Sequence, residues 1–145
     1  VFASGLLGCL GPIYVLIFNG VDIGASFGHL QQMGSADPLW RFVAGHAPFE
    51  LTAIVITGGA GLRLGYNLLA PGRRRRVDAL VEAGWKGAKI CLGAALMFFI
   101  AAFIEAFWSS IQSIPASVKY GVSATLWTLV LLWLWRGGRG STDEA

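Results

Sequence analysis

Three ionisable side chains in or beside apolar stretches of the sequence could carry chemistry together: His46, Glu50 and Glu105. His46 and Glu50 are four residues apart, so a helix places both on one face. Glu50 lies three residues before Ala53, and Glu105 lies three residues after Ala102, near the same end of two neighbouring apolar stretches. We therefore expect His46, Glu50 and Glu105 to reach a similar depth and to form one intramembrane polar cluster.

A cluster of one histidine and two glutamates supports several kinds of site. Imidazole and carboxylate groups are suitable ligands for a divalent metal, which makes His46, Glu50 and Glu105 the candidate metal ligands. Two neighbouring carboxylates can share a proton, and the same groups can contact a polar substrate. In the leading interpretation the cluster is structural, with the glutamates reaching water or pairing with Arg41, His46 or Lys119. No cofactor is expected.

The composition shows what kind of protein must position these residues. Of the 145 residues, 55% are apolar and only 13% are charged, and the mean hydropathy is +0.63. A soluble domain carries roughly a quarter charged residues. The composition therefore excludes a soluble globular domain and indicates an integral membrane protein.

Four apolar stretches are long enough to cross a bilayer, which requires about 20 helical residues. The predicted fold is an all-α polytopic bundle forming one domain over residues 1–136, followed by a flexible tail at 137–145. Asn19-Gly20 is predicted to end the first helix. The predicted spans are about 1–20, 48–70, 78–110 and 118–136.

The connection after the first span, residues 21–46, is long for a compact bundle. Within it, Asp37–Val43 begins with a helix start signal, Asp37 as N-cap and Pro38 at the first helical position. The aromatic residues of this segment predict a short interfacial helix in the outer loop.

Basic residues indicate the orientation of the spans. A run of four arginines forms the loop between the second and third spans: Arg73, Arg74, Arg75 and Arg76. Arg136 and Arg139 follow the fourth span. We expect both groups to be cytoplasmic, which places both visible termini in the cytoplasm and the protein in the cytoplasmic (inner) membrane. The four arginines also favour anionic lipid head groups.

Small residues indicate how the spans pack, because close backbone approach takes the place of the hydrophobic effect in lipid. The second span is predicted to pack through a ridge that recurs every fourth position: Ala53, Thr57, Gly61 and Gly65. The face predicted for the third span comprises Gly84, Ala88, Cys91, Ala95 and Ala102. Gly5, Gly8 and Gly11 on the first span are expected to be free for a partner, which suggests a homodimer.

The sequence contains no phosphate-binding loop, no nucleophile elbow, no His-Glu-x-x-His and no paired cysteine motif. Cys9 and Cys91 are expected to be inert buried thiols. We therefore expect no enzyme activity, and no nucleic acid is expected among the partners.

Two motifs together resemble a known family. Gly45–Ile54 reads Gly-His-Ala-Pro-Phe-Glu-Leu-Thr-Ala-Ile and leads into the glycine-rich stretch Gly58–Gly65, and Ala101–Phe107 reads Ala-Ala-Phe-Ile-Glu-Ala-Phe. With Asn19-Gly20, they resemble the stage II sporulation protein M family of integral membrane proteins over roughly residues 1–108. Ala47 departs from the glycine expected at that position. Members usually have more chain ahead of the first span, so a longer protein is expected.

The resemblance implies a bacterial or archaeal membrane protein without established enzyme activity, whose founding member is a scaffold for peptidoglycan-remodelling proteins. The leading hypothesis is a non-enzymatic membrane scaffold that assembles with itself or with other envelope proteins. The alternative is a small transporter or channel subunit with an ion or proton site at His46, Glu50 and Glu105. A metal-dependent membrane enzyme is a third possibility.

Overall fold

The computed structural model describes residues 1–137, and all regular structure in this range is helical. This confirms the predicted all-α fold, while the predicted tail beyond Gly137 lies outside the described residues. A 3₁₀ helix spans Phe2–Leu7, and a π turn at Glu105–Ser109 continues the fourth α-helix. The α-helices are α1 (Leu10–Gln32), α2 (Ala36–Val43), α3 (Ala47–Leu69), α4 (Arg76–Ile104) and α5 (Ala116–Gly137).

Three of these helices are long and apolar enough to cross a membrane: α1, α4 with its π turn, and α5. The fourth predicted span, residues 48–70, corresponds to α3. This helix has 23 residues, as α1 does, but Glu50, Arg63 and several glycines make it more polar. The 3₁₀ helix, α1, α4 and α5 all pack on α3. Of the four long helices in the described residues, α3 is thus the one outside this set and also the one with the most buried residues.

The first predicted span, residues 1–20, is a hairpin and not one helix. Gly8 has φ 76°, a left-handed conformation that glycine adopts without strain, and here the chain reverses before α1 begins at Leu10. Gly5 packs on Gly61 of α3, and Gly11 packs on Ser4 across the hairpin. The expectation that Gly5, Gly8 and Gly11 are free for a partner was therefore wrong, because all three contact the chain's own backbone or side chains.

The helix α1 continues through the predicted stop at Asn19-Gly20 and ends only at Gln32. Asn19 is accommodated because its Nδ2 donates a hydrogen bond to the Val15 carbonyl oxygen at 2.7 Å, within the same helix. Most of the predicted outer loop is therefore helical.

The predicted short helix is present as α2, but it begins at Ala36 after Ser35, so Asp37 is not its N-cap. Asp37 instead pairs with Arg41 one turn later, at 2.7 Å. The rings of Phe27 and Trp40 lie 4.5 Å apart and join α2 to the end of α1.

The seam between α3 and α4 is the most extensive helix pairing in the described part of the chain. On α3, Ala53, Gly61 and Gly65 of the predicted ridge are buried, and the half-buried Thr57 hydroxyl donates a hydrogen bond to the Ala53 carbonyl oxygen at 2.8 Å. Gly61 and Gly65, however, lie against the N-terminal hairpin, where their nearest neighbours are Pro12 and Gly8. On α4 the predicted face is offset by one residue, and Ala102 is exposed. Small residues occupy two adjacent faces of α4, so their spacing alone did not identify the packed one. The buried residues of α4 are Ala79, Ala83, Gly87, Ala94 and Ala101.

Candidate functional site

A buried histidine begins the polar contacts at one end of the bundle. His46 immediately precedes α3 and is only 4% exposed. Its Nε2 lies 3.5 Å from Oε2 of Glu50, one turn into α3, and its Nδ1 lies 3.2 Å from the Ser109 hydroxyl. The edge of the Phe42 ring packs against the imidazole at a centroid distance of 5.4 Å. Both ring nitrogens therefore have polar neighbours.

A lysine from a third helix completes this group. Lys119 lies in the first turn of α5, is 3% exposed, and donates a hydrogen bond from Nζ to the Ser109 carbonyl oxygen at 2.8 Å. Ser109 thus contacts α3 through its hydroxyl and α5 through its carbonyl. We call His46, Glu50, Ser109 and Lys119 the polar junction, and the end of the bundle where they meet the junction end.

The π turn at Glu105–Ser109 explains why Ser109 can occupy this position. A π turn contains more residues per turn than an α-helix, so it changes which side chains face the bundle. Ser109 is buried, whereas Glu105 at the start of the turn is exposed.

Glu105 lies outside the polar junction. The structure brings His46 and Glu50 together, but the side chain of Glu105 has no hydrogen bond or ion pair within residues 1–137. In the same range, no three His, Cys, Asp or Glu side chains lie close enough to hold a metal ion. The geometry therefore offers a His46–Glu50 pair in place of the three-residue cluster that the sequence predicts.

Besides lying next to His46, Glu50 faces a cavity. Its side chain is 44% exposed and lines an apolar cavity of about 690 Å³ between α1, α2, α3 and α5. His46 lies in the same wall, and Trp40, Tyr120 and Trp127 contribute aromatic surface. The carboxylate is thus held at the margin of an apolar space.

Sequence reasoning did not identify Ser109, and it named Lys119 only as one possible partner of the glutamates. Lys119 binds a backbone carbonyl instead. A lysine four residues after Pro115, at the start of an apolar span, was the available signal. Nothing in the sequence marks Ser109, because its position depends on the π turn.

The four-arginine run lies at the other end of the bundle, which we call the arginine-loop end. Arg73, Arg74 and Arg75 lie in the connection between α3 and α4, as predicted. Arg75 is the N-cap residue of α4 and has an extended backbone. Arg76 was predicted to lie in the loop, but it is the first residue of α4. All four arginines are exposed.

Ion pairs join this connection to the first turns of α4. Arg74 pairs with Glu82, whose other carboxylate oxygen accepts a hydrogen bond from Lys86 Nζ at 2.6 Å. The Arg75 carbonyl oxygen accepts a hydrogen bond from the Ala79 backbone N–H at 3.0 Å, which begins the hydrogen bonding of α4. The loop is therefore held against α4 by both side-chain and backbone contacts.

The sequence was compared with known protein families. The sequence model of the stage II sporulation protein M family matches residues 1–110. The chain belongs to the stage II sporulation protein M family. The matched residues run from the 3₁₀ helix through the π turn and include His46, Glu50, Ser109 and Glu105, whereas α5 lies beyond them. Comparisons with curated proteins and with solved structures gave no match.

Family membership and the three apolar helices make this chain a membrane protein. The large exposed side chains fit that environment, because Leu, Ile, Phe and Trp residues cover the outward faces of α1, α4 and α5. Such a surface is compatible with lipid as the surrounding solvent.

Proposed function

We propose that the protein is a non-enzymatic membrane scaffold that assembles with itself or with other envelope proteins. The observation that carries the proposal is a stripe on α1 formed by Gly20, Gly24 and Gly28. The three glycines are exposed, recur every fourth residue, and have no atom within 4 Å of the place where a Cβ would lie. Stripes of this kind let two membrane helices approach closely.

The looseness of α5 also supports a role in assembly. This helix packs on α3 and α2 but makes little contact with α1 or α4 within residues 1–137. Two apolar cavities, of about 670 and 690 Å³, lie beside it. In a bilayer such spaces take up acyl chains or the side chains of another membrane helix.

Energy transfer between labelled copies tests self-assembly. The full chain is reconstituted at low protein-to-lipid ratio with donor and acceptor labels on separate copies. We expect energy transfer between wild-type copies. We expect Gly24→Leu to lower the apparent association constant by about tenfold, because the larger side chain separates the helices. Gly59→Leu is the matched control, because Gly59 is an exposed glycine on α3 with equally open surroundings.

Transfer that is absent in wild type, or that falls equally in Gly24→Leu and Gly59→Leu, counts against assembly through α1. Turnover or transport by the purified protein alone would count against the scaffold itself.

The second candidate function is a small transporter or channel subunit with an ion or proton site. The observation that favours it is the position of Glu50 and His46 in the wall of the 690 Å³ cavity. Glu105, the third residue expected in that site, is exposed elsewhere on the bundle. Proton and cation flux into vesicles containing the wild-type protein, with Glu50→Gln as the comparison, tests this candidate. Flux that is present in wild type and lost in Glu50→Gln supports transport. Wild-type flux equal to that of protein-free vesicles rules this candidate function out.

The proposal includes three further expectations, about the host, the orientation in the membrane and the number of copies that assemble. The host is bacterial, the protein lies in the cytoplasmic membrane with both visible ends and the arginine loop facing the cytoplasm, and the self-assembled form is a dimer. Basic loops are retained on the cytoplasmic side, which supports the orientation. Protease protection of tagged termini in oriented membranes tests it.

A further inference from the structure

A third cavity, more polar than the other two, lies at the junction end. It has a volume of about 660 Å³ and is enclosed by the end of α1, by α2, by the connection after the π turn and by the start of α5. Its lining includes Asp37, Arg41, Phe42, Ser110, Gln112 and Lys119. The volume is typical of a cavity that binds a small molecule.

Lys119 brings an incompletely paired cation to this cavity. The residue is only 3% exposed, yet within residues 1–137 the one hydrogen bond of its side chain is to the Ser109 carbonyl oxygen, and no carboxylate lies within 4 Å of its Nζ. An ammonium group has three hydrogens to donate. A buried positive charge without a counterion is costly, and a bound anion removes that cost.

Arg41 brings a second cation whose donors are only partly used. One terminal nitrogen pairs with Asp37, while Nε is buried and has no acceptor. The guanidinium group is a planar fork that commonly binds two oxygens of one phosphate or carboxylate. Asp37 therefore pairs with only some of the N–H donors of the Arg41 guanidinium group.

The charge of the lining is positive. Arg41 and Lys119 each contribute one positive charge and Asp37 contributes one negative charge, so the cavity keeps an excess of one positive charge. Gln112 and Ser110 add uncharged polar groups to the same wall. A low-dielectric surrounding strengthens the attraction of this excess charge for an anion.

We propose that this cavity binds a phosphate group between Arg41 and Lys119, carried by an anionic phospholipid or free in solution. Trp40 and Tyr120, the chain neighbours of Arg41 and Lys119, line the adjacent apolar cavity. Neighbouring residues of the chain thus provide cationic groups that can bind the phosphate of a phospholipid and an apolar space that can hold one of its acyl chains. Aromatic side chains are common at this level of a membrane.

Native mass spectrometry of the full chain in detergent tests the proposal, with phosphatidylglycerol, phosphatidylcholine and inorganic phosphate as separate probes. We expect Arg41→Gln and Lys119→Met each to weaken retention of phosphatidylglycerol by about tenfold. Lys86→Gln is the matched control, because it removes one exposed positive charge on α4 and leaves the cavity intact. We expect it to change retention by less than about twofold.

The probes distinguish the two sources of phosphate. Phosphatidylglycerol that is retained against excess inorganic phosphate identifies a lipid site. Inorganic phosphate that binds alone, raises the unfolding temperature of wild type and loses this effect in Arg41→Gln identifies a site for the free anion.

Failure of all three probes to bind overturns the proposal. So does an equal loss in Lys86→Gln, or retention that is unchanged in Arg41→Gln. If Lys119→Met does not fold, Arg41→Gln decides the outcome, since the Arg41 side chain is 42% exposed and its replacement leaves the buried core unchanged.

Discussion

Ser109 shows how one residue can join three helices without any charge of its own. Its hydroxyl lies within hydrogen-bond distance of His46 and its carbonyl oxygen accepts a hydrogen bond from Lys119, so a buried polar group of His46 and one of Lys119 each have a partner at the end of α4. Buried polar groups are costly when left without partners. At the scale of single residues, the junction end is therefore held by hydrogen bonds, whereas the rest of the bundle is held mainly by close packing.

The substitution His46→Ala tests this arrangement. It leaves the Ser109 hydroxyl without its partner and removes a buried ring, so we expect the free energy of unfolding to fall by about 1–3 kcal/mol. His29→Ala is the matched control, because His29 is exposed near the end of α1 and should change stability by less than about 0.5 kcal/mol. Unfolding of both variants in a denaturing detergent series provides the comparison. Equal losses would show that the junction contributes little.

The sequence allowed part of the candidate site to be predicted. The pairing of His46 with Glu50 follows from their spacing of four residues, which any helix brings together. The exclusion of Glu105 and the inclusion of Ser109 depend on a π turn and on which face of α4 packs inward. Neither is specified by the apolar pattern, since small residues occur on both faces of that helix.

At the scale of elements, the hydropathy pattern was sufficient to place helices but not to describe the first segment. The chain reverses its direction within the apolar run over residues 1–20, and this reversal depends on the positive φ of Gly8. The packing of the hairpin on α3 then requires glycine at Gly65, where a Cβ would lie 2.7 Å from the Cys9 nitrogen. Backbone contacts of this kind leave no periodic signal in a sequence.

Two glycine substitutions on α3 separate packing from helix propensity. Gly65→Ala forces apart two backbones, so we expect a loss of about 1–3 kcal/mol in the free energy of unfolding. Gly59→Ala meets no atom within 4 Å and should be neutral or stabilising by up to about 1 kcal/mol. The two unfolding curves should therefore shift in opposite directions or by clearly different amounts. A common shift would contradict the close approach of the hairpin.

A second matched pair tests which face of α4 packs on α3. Ala101 is buried and Ala102 is exposed, although both are alanines of the same turn. We expect Ala101→Leu to cost about 1–3 kcal/mol of stability through overpacking. Ala102→Leu should remain within about 0.5 kcal/mol of wild type. If Ala102→Leu lowered stability more than Ala101→Leu, the face predicted from sequence would be the one that packs on α3.

At the scale of the whole molecule, the bundle is tight on one side and open on the other. The hairpin, α3 and α4 pack closely through small residues, whereas α5 leaves apolar cavities beside it. The helix α1 carries exposed glycines, of which Gly24 lines one of these cavities. The family match ends where the closely packed part ends, before α5. A bundle that is incompletely closed in this way is suited to contacts with lipid and with other membrane helices.

The most direct test of assembly is disulfide cross-linking at the glycine stripe in native membranes. Cys9 and Cys91 are first replaced by alanine, and a single cysteine is introduced as Gly24→Cys or, for comparison, as Gly59→Cys. We predict that mild oxidation converts the Gly24→Cys protein to a cross-linked dimer while the Gly59→Cys protein remains monomeric. If both proteins remain monomeric, or both cross-link to the same extent, the chain does not assemble through α1.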